Sequence, residues 1–134
     1  MTPFHLKIVT PDGLLFDGQA EELIVRSITG DLAILAHHVN FVTPLGMGRA
    51  VVITEGRSRT AACIGGLLSV INNEVTLVPT TFEWADAIDV KRVEVSMARA
   101  DQILKNKEST ETDLKLAQAR LRRALVRHSV AFNK

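Results

Sequence analysis

The sequence predicts a mainly β protein with an added α part: an N-terminal antiparallel β-sandwich over residues 1–85 and a C-terminal antiparallel two-helix hairpin over residues 86–134. In the first part, apolar and polar side chains alternate with period two, and turn residues interrupt the alternation about every 8 to 12 residues. From residue 86 onward, apolar residues recur at steps of three and four, the spacing of one face of an α-helix.

Turn residues divide the first part into short strands, at Pro11-Asp12-Gly13, Thr29-Gly30-Asp31, Glu55-Gly56 and Asn72-Asn73-Glu74. The last two turns predict β-hairpins, formed by strands 47–54 with 57–64 and by strands 67–71 with 75–78. Gly65-Gly66 lies between the two hairpins and predicts a β-bulge or a close backbone approach.

Two apolar stripes predict the two helices. The first stripe contains Val90, Val93, Met97, Ala100 and Leu104; the second contains Leu114, Ala117, Leu121, Ala124 and His128, widened by Leu125. Asp86 or Asp89 can cap the first helix, and Thr110, Thr112 or Asp113 can cap the second. Because the connecting segment 105–109 is short, the helices should be antiparallel. A hairpin of this length has little core of its own and needs the sandwich, a partner or a ligand for stability.

Charge is distributed unevenly along the chain. Residues 1–85 hold 5 Lys/Arg against 8 Asp/Glu, whereas residues 86–134 hold 11 against 7. The basic C-terminal part predicts an acidic or phosphate-bearing partner. Nucleic acid is not predicted, because base stacking needs aromatic side chains and the chain has five Phe, one Trp and no Tyr. The longest apolar run, 61–68, is far short of the roughly 20 residues that span a bilayer.

The reactive residues form no catalytic or metal-binding pattern. The four histidines, His5, His37, His38 and His128, are scattered, and neighbouring residues of an extended chain point in opposite directions. Cys63 lies in an apolar strand, as expected of a small core residue. No phosphate-binding loop, nucleophile elbow or His-Glu-x-x-His motif is present in the sequence. We therefore expect neither enzymatic activity, nor a bound metal, nor a required cofactor.

Three segments resemble, in the same order, the epsilon subunit of the bacterial rotary (F-type) ATP synthase. They are Gly30-Asp31-Leu32-Ala33-Ile34-Leu35-Ala36-His37-His38, the region from Ser69-Val70 through Asn72-Asn73-Glu74-Val75, and Ala87-Ile88-Asp89-Val90-Lys91-Arg92. The corresponding family patterns are Gly-Glu-x-Gly-x-Leu-Pro-Gly-His, a Gly-Gly-(Phe/Ile)-x-Glu-Val strand, and an (Ile/Leu)-Asp-x-x-Arg-Ala helix start. The resemblance extends over essentially the whole chain.

The resemblance implies a non-catalytic central-stalk (rotor) subunit of a proton- or sodium-translocating ATP synthase. The β-sandwich would dock on the gamma subunit and the membrane c-ring, and the hairpin would inhibit ATP hydrolysis by the catalytic beta subunits. The protein would be peripheral, at the cytoplasmic face of the cell membrane, and would meet the membrane only through the complex.

The resemblance also implies a regulatory ATP site, formed by Glu83, Ile88, Asp89, Arg92, Arg99, Arg123 and Arg127. Contacts with partner subunits are expected at Asp31, His38, Arg120, Arg123 and Arg127. Taken without the resemblance, Asp31 is a turn-capping residue, His38 is a surface side chain, and the arginines are a solvated helical face that complements the helix dipole. The alternative function is a β-sandwich ligand-binding module whose helical tail forms a homodimer.

Overall fold

A computed structural model describes residues 2–132 of the chain. Their contacts divide into two compact units, the first ending at Trp84 and the second starting at Ala85. The sequence predicts the same arrangement of parts, with its division between residues 85 and 86.

The first unit is a β-sandwich, as predicted. Its described strands are β1 (Phe4–Thr10), β2 (Gly13–Ala20), β3 (Glu22–Ser27), β4 (Gly30–Ile34), β5 (Phe41–Pro44), β6 (Met47–Thr54), β7 (Arg57–Ile71) and β8 (Glu74–Trp84). They pair in the order β2-β1-β8-β7-β6-β3-β4, with β5 added beside β7. Side chains of β1 and β3, from distant parts of this order, share one core, so the sheet folds over on itself.

The core follows from the period-two alternation. Phe4, Leu6 and Ile8 of β1 are fully buried, and every second residue between them points away from the core. Cys63 belongs to the same core, and burial raises the pKa of its thiol to about 12. A thiol with so high a pKa stays protonated, which agrees with a packing role.

One strand pair departs from the predicted antiparallel arrangement. β1 and β8 are parallel, from His5 beside Glu74 to Ile8 beside Leu77. The prediction was wrong here because alternation shows which face of a strand is buried but not which strand it pairs with.

His5 of β1 contacts side chains of β2 and β8 at the protein surface. Its Nε2 lies 2.5 Å from a carboxylate oxygen of Asp17 on β2, and its Nδ1 lies 2.5 Å from a carboxylate oxygen of Glu74 on β8. Hydrogen bonds to Asp17 and then to Glu74 raise the pKa of His5, and the bond to His5 lowers the pKa of Asp17.

The segments predicted as separate strands on either side of Gly65-Gly66 form one continuous strand, β7. The register with β8 is unchanged across the two glycines, from Ile64 beside Thr81 to Gly66 beside Pro79. Gly66 has φ +101°, and a Cβ atom there would lie only 2.0 Å from the carbonyl oxygen of Val78. The glycines therefore permit the close backbone approach that was one of the two predicted alternatives.

The second unit contains a short 3-10 turn (Ala85–Ala87) and two helices, α1 (Val90–Lys105) and α2 (Glu111–Phe132). The carboxylate of Asp89 accepts a hydrogen bond from the amide of Arg92 and caps α1. Thr110 and Asp113 exchange reciprocal backbone–side-chain hydrogen bonds of 3.1 Å each at the start of α2. This capping box gives the amides of Thr110 and Asp113 side-chain partners at the start of α2.

The buried residues of α1 and two of those of α2 lie on the predicted stripes, whereas the buried residues at the C-terminal end of α2 lie beyond the second stripe. Val93 and Ala100 of α1 and Ala117 and Ala124 of α2 are almost completely buried, which agrees with close packing of two helices through small side chains. Leu125, predicted to widen the second stripe, is instead 48% exposed. No helix in the described part of the chain is long and apolar enough to cross a membrane.

Candidate functional site

Helix α1 places four residues of mixed chemistry along one face. Arg92, Ser96, Arg99 and Ile103 follow one another at steps of four, three and four, so their side chains lie on successive turns of the same face. This face is next to the stripe of Val93 and Ala100 that packs into the hairpin. The apolar contacts therefore hold a polar face in a fixed position.

A cleft of about 400 Å³ opens along this face. We call it the arginine cleft; it is lined by Arg92, Val95, Ser96, Arg99, Ala100, Ile103 and, from α2, Arg120. Its volume is within the range of roughly 300–1,000 Å³ that is usual for small-molecule sites. Both helices contribute to it, so its shape depends on a closed hairpin.

The charge of the cleft is not neutralised by the residues that the structure describes. Arg92, Arg99 and Arg120 are exposed, and among residues 2–132 none of these three guanidinium groups forms an ion pair. Acidic side chains of the helices pair elsewhere, as in Lys105 with Asp101 and Lys115 with Glu111. Three like charges that converge without acidic partners favour an anion, and guanidinium groups bind phosphate and carboxylate through paired hydrogen bonds.

The structure brings together only part of the predicted ATP site. Arg92 and Arg99 line the arginine cleft. Ile88 is buried, and the carboxylate of Asp89 is already engaged as the α1 cap. Glu83 lies in the first unit, where it is paired in register with Ala62.

Arg123 and Arg127 lie half-buried on α2 and are not among the described residues that line the cleft. The cleft instead uses Arg120, which the sequence assigns to partner contacts, and Ser96, which it does not single out. At 100° per residue, Arg120 is about 20° from Arg127 around the helix. The sequence therefore predicts that Arg120 lies on nearly the same face of α2 as Arg127. Its position opposite Ser96 and Arg99 depends on how the two helices pair, which the sequence does not reveal.

The predicted partner contacts in the sandwich are on its surface. Asp31 faces Arg26 across the β3–β4 pair, and their charged atoms are 3.5 Å apart. His38 donates a 2.9 Å hydrogen bond through Nδ1 to the carbonyl oxygen of Val39, and its ring lies 5.0 Å from that of Phe41. Exposed ion pairs contribute little to stability, so Asp31 can exchange Arg26 for another partner.

The loop that contains His38 is fixed to the neighbouring β7–β8 turn. The side-chain oxygen of Asn73 accepts a 2.6 Å hydrogen bond from the amide of His37, and that of Asn40 accepts a 2.8 Å hydrogen bond from the amide of Asn72. His37, Asn72 and Asn73 have positive φ angles. These bonds give the end of the sandwich a defined shape while Val39 remains 73% exposed.

Comparison with known proteins assigns both units to one family. The β-sandwich domain of the ATP synthase delta/epsilon chain matches residues 3–85, and the long α-helix domain of the same chain matches residues 86–131.

Relatives of full length are found among bacterial proteins. ATP synthase epsilon chains from Ruminococcus albus and Bacillus velezensis are 37% and 38% identical to this chain, over 100% and 99% of it and 100% of each relative. The epsilon chain of Gloeobacter violaceus is 37% identical over 92% of both chains.

Solved structures show the same fold at lower identity. A chain of the mitochondrial ATP synthase of Euglena gracilis superposes with a TM-score of 0.80 at 18% identity, over 91% of this chain and 77% of that chain. One from the central stalk and c-ring of the Tetrahymena thermophila enzyme gives 0.62 at 16% identity, over 95% of both. With two domain matches in sequence order and full-length relatives above 30% identity, this chain belongs to the ATP synthase delta/epsilon family, as an epsilon chain of the bacterial type.

Proposed function

We propose that this protein is a non-catalytic subunit of the central stalk, which docks through its sandwich on the gamma subunit and the membrane c-ring. Its hairpin inhibits ATP hydrolysis by the catalytic beta subunits. The observation that supports this most strongly is that both domains of the family occur here, in order, over residues 3–85 and 86–131. On this proposal the protein is peripheral, at the cytoplasmic face of the membrane, and reaches it only through the complex.

The outer face of the sandwich supports the docking role. Leu67 of β7 is a register neighbour of Pro44 on β5 and of Val78 on β8, and all three side chains are exposed. Val42 extends this row and is 60% exposed. A continuous apolar row on a sheet face is typical of a protein contact surface, so we assign it to the stalk partner. Asp31 and His38 add polar contacts.

The regulatory role is assigned to the helical hairpin. Its arginines can meet an acidic surface of the catalytic subunits when the hairpin is extended, and they can hold ATP when it is closed. Arg92 and Arg99 in the arginine cleft support ATP as the ligand of the closed form. A ligand that binds only the closed form shifts the balance toward it by its difference in affinity for the two forms.

The proposal is tested by mixing the purified chain with the gamma subunit and the c-ring of the same organism, followed by size-exclusion chromatography with light scattering. We expect a complex with one copy of this chain for each gamma subunit. A salt-resistant homodimer that binds neither partner would refute the proposal and favour the alternative ligand-binding module.

A further inference from the structure

Both ring nitrogens of His5 lie against a carboxylate. Nε2 is 2.5 Å from an oxygen of Asp17, and Nδ1 is 2.5 Å from an oxygen of Glu74. A neutral imidazole has one N–H donor and one lone pair, so it can donate to only one carboxylate, whereas a protonated imidazole donates from both nitrogens. With both carboxylates ionised, this arrangement requires a positively charged His5.

The charged groups around His5 come from the two strands that pair with β1. β2 contributes Asp17 and β8 contributes Glu74, while Lys7 of β1 itself is the register neighbour of Asp17. Hydrogen bonds to Asp17 and then to Glu74 raise the pKa of His5 above 6.5. The charge of His5 is therefore retained at pH 6.5 and is lost as the pH rises through the raised value.

Loss of the proton leaves His5 with one N–H for two carboxylates. Asp17 has the larger effect of the two on the pKa of His5. Glu74 has the more exposed side chain, 62% against 42% for Asp17, and is freer to move away. We therefore expect the neutral ring to keep Asp17 and to release Glu74.

Glu74 connects His5 to the turn between β7 and β8. It directly follows Asn72 and Asn73, whose φ angles are 49° and 65°. Asn adopts left-handed backbone more readily than most residues, but such a conformation persists only where the surrounding contacts hold it. The bond from His5 to Glu74 is one of the contacts that hold this turn.

The same turn fixes the loop 35–40. The side-chain oxygen of Asn73 accepts a 2.6 Å hydrogen bond from the amide of His37. Asn40 and Asn72 exchange two hydrogen bonds, of 2.8 Å to the side-chain oxygen of Asn40 and of 3.3 Å to that of Asn72. The imidazole and the loop are therefore attached to one short turn.

We propose that His5 is a pH-sensitive switch for this end of the sandwich: its charged form holds the turn and the loop 35–40, and its neutral form releases them. The inference rests on the proposed function for the partner of this end, where the loop presents His38 and the 73% exposed side chain of Val39. It extends that function by making docking on the stalk weaker at alkaline pH.

Carbon NMR of the full chain, titrated from about pH 6 to about pH 9, tests the switch. The reporter is the side-chain carbonyl carbon of Asn40, which does not titrate and is bonded to the turn. We expect it to shift with the same midpoint as the imidazole carbons of His5. An Asn40 signal that stays constant, or that follows the midpoint of His37 or His38 instead, would overturn the inference.

Three variants test the route from His5 to the loop. His5→Gln should abolish the Asn40 shift, and His38→Gln, the same substitution at the imidazole nearest in sequence to Asn40, should leave it at the His5 midpoint. Glu74→Gln should also abolish it although His5 still titrates, because a neutral amide can bond to either form of the ring. A shift that persists in the His5 or Glu74 variant would overturn the switch. Circular dichroism would verify that each variant is folded.

Docking is measured separately, as the affinity of the full chain for the gamma subunit with the c-ring at about pH 6 and about pH 9. The fall in affinity should be about threefold larger for the wild type than for Glu74→Gln, the scale of one exposed ion pair. Equal falls would overturn the effect on docking. A chain that binds neither partner at either pH would overturn the proposed function as well, whereas an Asn40 signal independent of His5 would overturn the switch alone.

Discussion

Arg123 and Arg127 are the residues to which the proposed function gives a role in inhibition. Both are half-buried on α2, in the half of the chain with excess positive charge, and neither is among the described residues that line the arginine cleft. Replacing both by Ala should raise ATP hydrolysis by the assembled complex, because it removes paired hydrogen bonds to an acidic surface of the catalytic subunits. It should weaken ATP binding to the isolated chain only slightly, because neither side chain is among the described residues that line the cleft.

Lysine replacements at the same two positions are the control, since they keep the charge but lose the bidentate geometry. Hydrolysis assays and calorimetry on the Ala and Lys pairs separate the two effects. Wild-type hydrolysis in the Ala pair would mean that these arginines are solvated charges with no inhibitory role.

The sequence shows only part of the candidate site at the level of single residues. The arginines could be placed on helix faces because side chains repeat every 3.6 residues. That Arg120 meets Arg92 and Arg99, while Arg123 does not, depends on the rotation of α2 against α1. Packing of Ala100, Ala117 and Ala124 sets this rotation, and no local pattern encodes it.

Among the elements, His5 with Asp17 and Glu74, which we call the His5 clasp, makes the pairing of β1 with β2 and β8 depend on pH. Its pKa is raised above 6.5 in the folded protein, so its contribution to stability is complete below that value and is lost as the pH rises through the raised pKa. The pKa of Asp17 is lowered below 3.8, so its contribution is present above that value and is lost as the pH falls through the lowered pKa. The contribution of the clasp is therefore complete between pH 3.8 and pH 6.5.

A double-mutant cycle of His5→Gln and Asp17→Asn, followed by urea unfolding, tests the clasp. We expect a favourable coupling between the two residues at about pH 5.5 that shrinks toward zero at about pH 9, as the imidazole loses its charge. A coupling of equal size at both pH values would show that the interaction does not depend on the charged histidine.

The packing of the hairpin can be tested at neighbouring leucines of α2. Leu121 is half-buried on the predicted stripe, whereas Leu125 is 48% exposed. Leu121→Asp should lower the stability of the hairpin by about 1–3 kcal/mol, because a carboxylate replaces an apolar contact. The measurement is amide exchange over residues 88–130, and Leu125→Asp is the control. Equal effects of the two substitutions would show that the stripe is assigned incorrectly.

The elements themselves were largely predictable, and their pairing was less so. Period two and period 3.6 identified the sandwich and the two helices, and Glu55-Gly56 and Asn72-Asn73 marked true hairpin turns with positive φ. The continuity of β7 was missed because Gly65-Gly66 was placed between two hairpins, as a β-bulge or a close backbone approach, and the strand beside it was unknown. The parallel β1–β8 pair was missed because it joins residues about 70 positions apart in the chain.

At the scale of the whole molecule, the two compact units are expected to have separate roles. The first has a core shared by strands from both ends of its sheet, whereas the second is a hairpin of two helices closed mainly by small residues. A core of the first kind is expected to fold without the rest of the chain. The docking surface and the inhibitory element should therefore be separable.

The most direct test of this division is ATP hydrolysis by complexes assembled with the full chain or with a chain that ends at residue 86. We expect the truncated chain to be folded by circular dichroism and to join the gamma subunit and c-ring, and its complex to hydrolyse ATP faster than the complex with the full chain. A truncated chain that is folded but cannot assemble, or that assembles without any change in hydrolysis, would contradict this division of roles.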